Sequence, residues 1–116
     1  MRNKLIAHAL IKISGKYLII KRVAIKRGKT NAFPKYWDIP GGSVEAGELS
    51  RDATVREVAE EVNIRVKLKN VIHEDSNLDE GKQIVFTRLV YVSPNDLIVP
   101  YLKELIPDKI MSHKFF

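Results

Sequence analysis

Cysteine is absent from these 116 residues, so neither disulfides nor thiolate zinc sites contribute to stability. Long apolar runs are absent too: no window approaches the roughly 20 apolar residues that cross a bilayer. The opening segment MRNKLIAHALIKI is interrupted by His8 and Lys12 and lacks the unbroken apolar core of a signal peptide. Together these absences suit a reducing cytoplasm and exclude a membrane partner. Acids are the scarcer charge, with 14 Asp and Glu against 20 Lys and Arg, a formal net charge of +6. Such a surface attracts anions, nucleotides among them.

What is present fits one domain spanning residues 1–116, with 45% apolar and 29% charged residues as in ordinary globular proteins. LIAHALIKI and KYLIIKRV flank Ser14-Gly15, which predicts a hairpin. RGKTNAFPKYW is polar, contains Gly28 and Pro34 and predicts a loop. The short extended piece WDIPGG follows. From Ser50, Val55, Val58, Ala59 and Val62 recur at helical spacing. Ser50 is the expected N-cap, with Asp52 in the first turn, and Asn63 the expected left-handed C-cap. Ile64–Glu74 and Gln83–Val92 alternate as strands around the turn SNLDEGK, and Pro100–Ile106 predicts a short helix. The order of elements implies a mixed sheet with helices packed on it, an α/β (α+β) fold.

Six of the 14 acids, Glu45, Glu48, Asp52, Glu57, Glu60 and Glu61, fall between Gly41 and Ile64. On a helical wheel Glu57, Glu60 and Glu61 share about 100° of arc, opposite an arc of Val55, Val58, Ala59 and Val62. Like charges at i,i+4, as Glu57 and Glu61 are, cost a helix a few tenths of a kcal/mol, about as much as a favourable pair would contribute. Glu60 and Glu61 also face the unfavourable end of the helix dipole. No lysine relieves the cluster at i+4. Hard divalent cations need several oxygen ligands, and magnesium combines a few carboxylates with waters and phosphate oxygens. The carboxylate trio after a glycine-rich loop therefore points to a metal site that bridges to phosphate, where a metal-bound water becomes a nucleophile.

Gly42, Glu48, Arg56, Glu57, Val58, Glu60, Glu61, Asn63 and Ile64 follow the spacing of the Nudix box, and the chain resembles the Nudix hydrolases, MutT-like members included. With each fixed type near 6% of average composition, six fixed matches arise by chance at roughly one in twenty million per start site. Asn63 departs from the family's glycine. The resemblance implies a Nudix-type α/β/α sandwich with the Nudix helix packed on a mixed sheet. It implies Mg²⁺, with Mn²⁺ as a substitute, held by Glu57, Glu60, Glu61 and the Gly41 carbonyl, with Glu60 or Glu61 activating the attacking water. Glu48 and Arg56 would form a structural ion pair. Arg22 would meet substrate phosphate, with Gly42 also at the substrate. Read from the residues themselves, Trp37 offers a ring to stack on a base, and Phe33 and Tyr36 are candidates to line the pocket. His8, His73 and His113 show no spacing of a triad or zinc site.

The implied reaction is hydrolysis of a nucleoside diphosphate linked to a further group, foremost a nucleoside triphosphate cut to a monophosphate and pyrophosphate. Dinucleoside polyphosphates, ADP-ribose and capped or triphosphorylated RNA are alternative substrates. Glu80 stands where many ADP-ribose-hydrolysing relatives carry proline, which disfavours that substrate. Many relatives also carry a further acid after the second strand; here Val92 leads directly into SPNDL, with Asp79, Glu80 and Asp96 as candidate substitutes. A different class of function, a non-catalytic nucleotide- or RNA-binding domain, would bind ligand without turnover. The isomerase branch of the fold expects a cysteine that this chain lacks. The oligomeric expectation is a monomer or a homodimer.

Overall fold

The structure, a computed structural model, describes residues 1–13, 15–22, 25–26, 29–30, 37–94 and 110–115. For residues 22, 25, 26, 29, 30 and 110–113 it describes the backbone alone. Along the chain run β1 (Arg2–Leu10), β2 (Lys12–Ile13), β3 (Lys16–Arg22), β4 (Ile25–Lys26), β5 (Lys29–Thr30), β6 (Trp37–Asp38) and β7 (Gly41–Ser43). Helix α1 (Ser50–Val62), β8 (Val71–Asp79), β9 (Ile84–Val92) and β10 (Ile110–Phe115) follow. The expected helix over Pro100–Ile106, like Ser14, Phe33, Tyr36 and Asp96, lies outside the described residues.

The larger sheet has the order β7-β1-β9-β8. Strand β1 runs parallel to β9 and antiparallel to β7, so the sheet is mixed. The smaller sheet has the order β10-β3-β2 with β6 also paired to β3, and β4 and β5 form a separate two-stranded ladder. The hairpin expected around Ser14-Gly15 forms at its tip, where Lys12 faces Tyr17 and Ile13 faces Lys16. The rest of its first arm belongs to the other sheet. The chain changes sheets at Ile11, which is fully buried and whose carbonyl accepts the Leu18 N–H at 3.0 Å. Ser93 clamps this crossing: its N–H donates to the Leu10 carbonyl at 3.1 Å and its Oγ accepts the Lys12 N–H at 3.2 Å.

The core joins Ala9, Ile11, Leu18 and Ile20 of the strands to Val58, Val62, Ile64 and Val66. Helix α1 has only 13 residues, near the length at which isolated helices are marginal, and its valines have modest helix propensity. Packing sustains it, since burying a valine of this kind stabilises by roughly 1.5–3 kcal/mol. The buried arc differs from the wheel: Ala53, Thr54, Glu57, Val58, Glu61 and Val62 are buried, whereas Ala59 is exposed. The helix lies against both β1 and β7, which turns two of the carboxylates inward.

Two local expectations are corrected. Leu49, not Ser50, occupies the N-cap, with no side-chain cap hydrogen bond. Ser50 is the first helical residue, and its Oγ instead lies 2.6 Å from the Tyr91 hydroxyl, a tertiary tie to β9 that replaces the local cap. The alternation in Ile64–Asn70 correctly marks burial, with Ile64 and Val66 buried, but not a strand. That segment meets the sheet only at its end, where Lys69 N–H donates to Val92 and Val92 N–H to Asn70. Arg51 takes over the task of holding it, donating to the Leu68 and Lys69 carbonyls at 2.8 and 2.6 Å. Strand β8 consequently starts at Val71 and absorbs much of the expected turn, which contracts to residues 80–83.

Asn63 ends the helix in the left-handed conformation, φ 57° and ψ 36°, with its N–H on the Ala59 carbonyl. Asparagine and glycine tolerate that region; alanine incurs the Cβ clash of about 1–2 kcal/mol. Urea unfolding of Asn63→Ala should therefore show a loss of about 1 kcal/mol, and Asn63→Gly no loss. Equal midpoints for the two variants would contradict this role for the cap.

Candidate active site

Strand β7 brings Gly41 and Gly42 against β1, with His8 opposite Gly41 and Ala7 opposite Gly42. A Cβ on Gly41 would lie 2.3 Å from the Ala7 carbonyl oxygen and 2.5 Å from the His8 Cα, and φ there is +152°. A Cβ on Gly42 would lie 2.6 Å from the Glu57 carboxyl carbon. The glycine pair thus lets one strand press on its neighbour and leaves a seat for the Glu57 carboxylate on the other side. Glu61, 3% exposed, reaches back to the same strand and accepts the Gly41 N–H at 2.8 Å, a charge-assisted hydrogen bond.

Arg56 ties these groups together. Its Nε and Nη2 donate to Glu48 Oε2 and Oε1 at 2.9 and 3.0 Å, the two-point geometry that suits a guanidinium and a carboxylate. Nη1 donates to Glu57 Oε1 at 3.0 Å and reaches Glu60 at 3.4 Å. Nη2 also donates to the Ser43 carbonyl at 3.1 Å, and Glu45 stands 3.8 Å away. The repulsion that no lysine relieves is thus relieved by an arginine inserted between Glu57 and Glu60. Glu48 also receives the Glu45 N–H at 3.1 Å, which closes the loop onto itself.

The Arg56 hydrogen bond, then the Glu45 N–H, hold the Glu48 carboxyl below its ordinary value, against a smaller opposing effect of burial. The Arg56 guanidinium is held more firmly protonated still, by its hydrogen bond to Glu48 first and with Glu57 adding to it. Both groups are therefore charged throughout the neutral range.

Glu57, Glu60 and Glu61 offer hard oxygen donors of the kind that magnesium or manganese takes, and the seat on Gly42 that a Cβ would fill fits a carboxylate held for such an ion. Among the described residues, no group of three His, Cys, Asp or Glu side chains is already arranged to hold an ion. Glu57 is turned to Arg56 and Glu61 to the Gly41 N–H, while the Glu60 side chain is 38% exposed. The three carboxylates follow one another along the helix, Glu57 and Glu60 against Arg56 and Glu61 against Gly41.

The remaining expected site residues are distributed differently. Arg22 ends β3, its side chain lying outside the described residues. Trp37 pairs with Lys21 and Asp38 with Ile20; side chains alternate across a strand, and Ile20 is core. Asp38 accordingly faces inward and Trp37 lies on the opposite face, the residue 40% exposed. Asp79 and Glu80 sit at the β8–β9 turn, where Asp79 Oδ1 accepts the Lys82 N–H at 3.1 Å. His8 carries no spacing of a triad or zinc site in the sequence, yet the fold gives it a buried place. It is 6% exposed, adjoins Gly41 across the sheet, and places Nε2 3.6 Å from Asp38 Oδ2. No sequence spacing announces that pair, because strand register alone brings the two residues together.

A mixed sheet, a glycine pair pressed on its second strand and a helix whose carboxylates gather on that pair define a Nudix-type α+β domain. The pattern of the NUDIX domain family matches residues 3–110. The chain belongs to the NUDIX domain family. It is 39% identical over 71 residues to the nucleoside triphosphatase NudI of Escherichia fergusonii, across 61% of this chain and 48% of that protein. It is 32% identical over 83 residues to an ADP-ribose pyrophosphatase of Methanocaldococcus jannaschii, across 72% of this chain and 46% of that one. The chain thus spans about half the length of the curated relatives it matches. The crystal structure of a MutT NUDIX hydrolase from Burkholderia pseudomallei superposes with a TM-score of 0.79 at 22% identity, covering 100% of this chain and 84% of that one. The MutT protein of Methanosarcina mazei Go1 gives 0.80 at 20% identity, over 97% and 75%. At such identities the likeness is one of fold. No helix among the described residues is long and apolar enough to cross a membrane.

The Glu48–Arg56 pair carries a pH signature. The folded-state value of Glu48 lies below its unfolded one, so its contribution is complete above the ordinary glutamate value of 4.5 and is lost as pH falls through the lowered value. Urea unfolding between neutral and acidic pH should show Glu48→Gln losing less stability on acidification than the wild type. Superimposable acid limbs would contradict the pairing.

Proposed function

We propose that this protein hydrolyses a nucleoside diphosphate linked to a further group, foremost a ribo- or deoxyribonucleoside triphosphate, giving a nucleoside monophosphate and pyrophosphate with Mg²⁺. The observation that carries the proposal is the placing of Glu57 at Gly42 and of Glu61 on the Gly41 N–H, with Arg56 holding Glu57 and reaching Glu60 beside them. Carboxylates buried toward the C-terminal half of a helix run against its dipole, whereas a phosphate-cleaving site needs negative oxygens that bind a dication. The names of the relatives, a nucleoside triphosphatase and an ADP-ribose pyrophosphatase, support the same substrate chemistry.

Glu57, Glu60 and Glu61 would hold the ion, together with the Gly41 carbonyl. The ion, when bound, neutralises phosphate charge and makes a water more acidic. Glu61 keeps the Gly41 backbone in place through its N–H. Arg56 holds Glu57 for that role. Glu60, the most exposed of the trio, or Glu61 would accept the proton of the attacking water. That water forms a bond to phosphorus as the bridging oxygen leaves with pyrophosphate. Gly42, with no side chain, leaves room beside Glu57, and the Arg22 side chain at the end of β3 would meet phosphate.

Product release from a panel of canonical and oxidised triphosphates, ADP-ribose and diadenosine polyphosphates, with magnesium or with excess EDTA, tests the proposal. Magnesium-dependent pyrophosphate from a triphosphate is the expected result. Glu57→Gln and Glu61→Gln should each reduce turnover at least about a hundredfold, the scale of losing a group that acts in the transition state, and circular dichroism should show them folded. Wild-type turnover in both, or silence of the folded wild type across the panel, would overturn the assignment; silence would favour a binding domain.

A further inference from the structure

The smaller sheet has a second face, turned away from the core. Leu18 and Ile20 of β3 are fully buried, so Tyr17, Ile19 and Lys21 point to the other side. Directly paired residues of antiparallel strands share a face. Lys12 pairs with Tyr17, Lys114 with Ile19 and Trp37 with Lys21. Three lysines, a tyrosine and a tryptophan therefore stand together, and these cross-strand partners include no acid. The two rings are open to solvent, Tyr17 at 38% and Trp37 at 40%. The Lys114 ammonium lies 4.3 Å from the centre of the Trp37 ring and that of Lys21 5.9 Å from it.

We propose that this face binds single-stranded nucleic acid, its bases stacked on Trp37 and Tyr17 and its phosphates against Lys12, Lys21 and Lys114. The ligand must be a polyanion that also offers flat π surfaces, which is the chemistry of unpaired nucleotides. It must also be a linked chain. Tyr17 and Lys21, which carries Trp37 beside it, are four residues apart on β3, about 13 Å along the strand, too far for one base to cover both rings. An arriving base can stack on the open part of the Trp37 ring, with the Lys21 and Lys114 ammoniums beside it to meet the adjoining phosphate. A lipid surface fits less well, because the ring at the centre of the patch is overlaid by charge rather than presented to an apolar phase. The face is separate from the Arg56 cluster, and the inference holds whether or not the cluster hydrolyses nucleotides.

Fluorescence anisotropy with labelled oligo(U) and oligo(dT) of about twelve nucleotides, within the range that such aromatic–basic platforms cover, tests the proposal at low and physiological salt. Both oligomers should bind. Lys114→Glu and Tyr17→Ala should each weaken binding about tenfold, and Lys114→Glu should lower the salt dependence by about one phosphate contact. Lys67→Glu, the same charge change on the exposed segment after α1, should leave affinity within about twofold of wild type, because no specific phosphate contact is lost. Uridine 5′-monophosphate should compete poorly at equal nucleotide concentration. Urea unfolding verifies that each variant is folded. Absence of binding at low salt, equal losses in Lys114→Glu and Lys67→Glu, or capture by phosphatidylserine vesicles without oligonucleotide binding would each overturn it.

Discussion

The guanidinium of Arg56 is the interaction on which the rest of the site depends. It grips both oxygens of Glu48, holds Glu57, reaches Glu60 and donates to the Ser43 carbonyl. Those contacts join the loop before α1, the strand β7 and the helix itself. Without that charge, the acids of the loop and helix would face each other across a few ångströms of partly desolvated space, where repulsion is stronger than in water. A lysine in its place would be a single point charge and could not span the two-point grip on Glu48 together with Glu57.

The sheet supplies the other half of the geometry. Because β1 runs between β9 and β7, it is fixed from both sides, and the glycine pair of β7 approaches it more closely than a side chain would permit. That approach brings the backbone N–H of Gly41 to Glu61 and seats Glu57 over Gly42. The helix is short and receives most of its support from the core, so the position of its carboxylates follows from where Val58 and Val62 pack. Core, strand register and acid cluster are therefore one mechanical unit. The aromatic and basic residues of the smaller sheet are carried on its opposite face and depend on the core only through Leu18 and Ile20.

Much of this was legible in the sequence where a residue's role is set by its near neighbours along the chain. The spacing from Gly42 through Glu61 marked the family, and Asn63 marked the helix end because the left-handed conformation narrows the choice of residue. The hairpin tip at Gly15 followed from turn chemistry. Features set by distant pairing were not legible. Ser50 has every property of an N-cap, yet its hydroxyl serves Tyr91, forty-one positions away. The alternation of Ile64–Asn70 reports burial against the core, and nothing in it shows that a strand partner begins only at Val71. The wheel put Ala59 inside and Glu57 outside because it assumed one packing surface, whereas α1 packs chiefly against two strands, β1 and β7. His8 and Asp38 meet through register alone, and the same register separates Trp37 from the carboxylates by one residue's alternation.

Arg56 holds Glu57 with an energy beyond that of an ordinary surface pair. A double-mutant cycle by urea unfolding, built from Arg56→Gln, Glu57→Gln and their combination, isolates that coupling. Exposed ion pairs give about 0.2–1 kcal/mol in such cycles. A coupling above about 1 kcal/mol is expected here, since Glu57 is buried against Gly42 and shares Arg56 with Glu48. Additive effects, with a coupling near zero, would contradict it and leave the acid cluster without its organising charge.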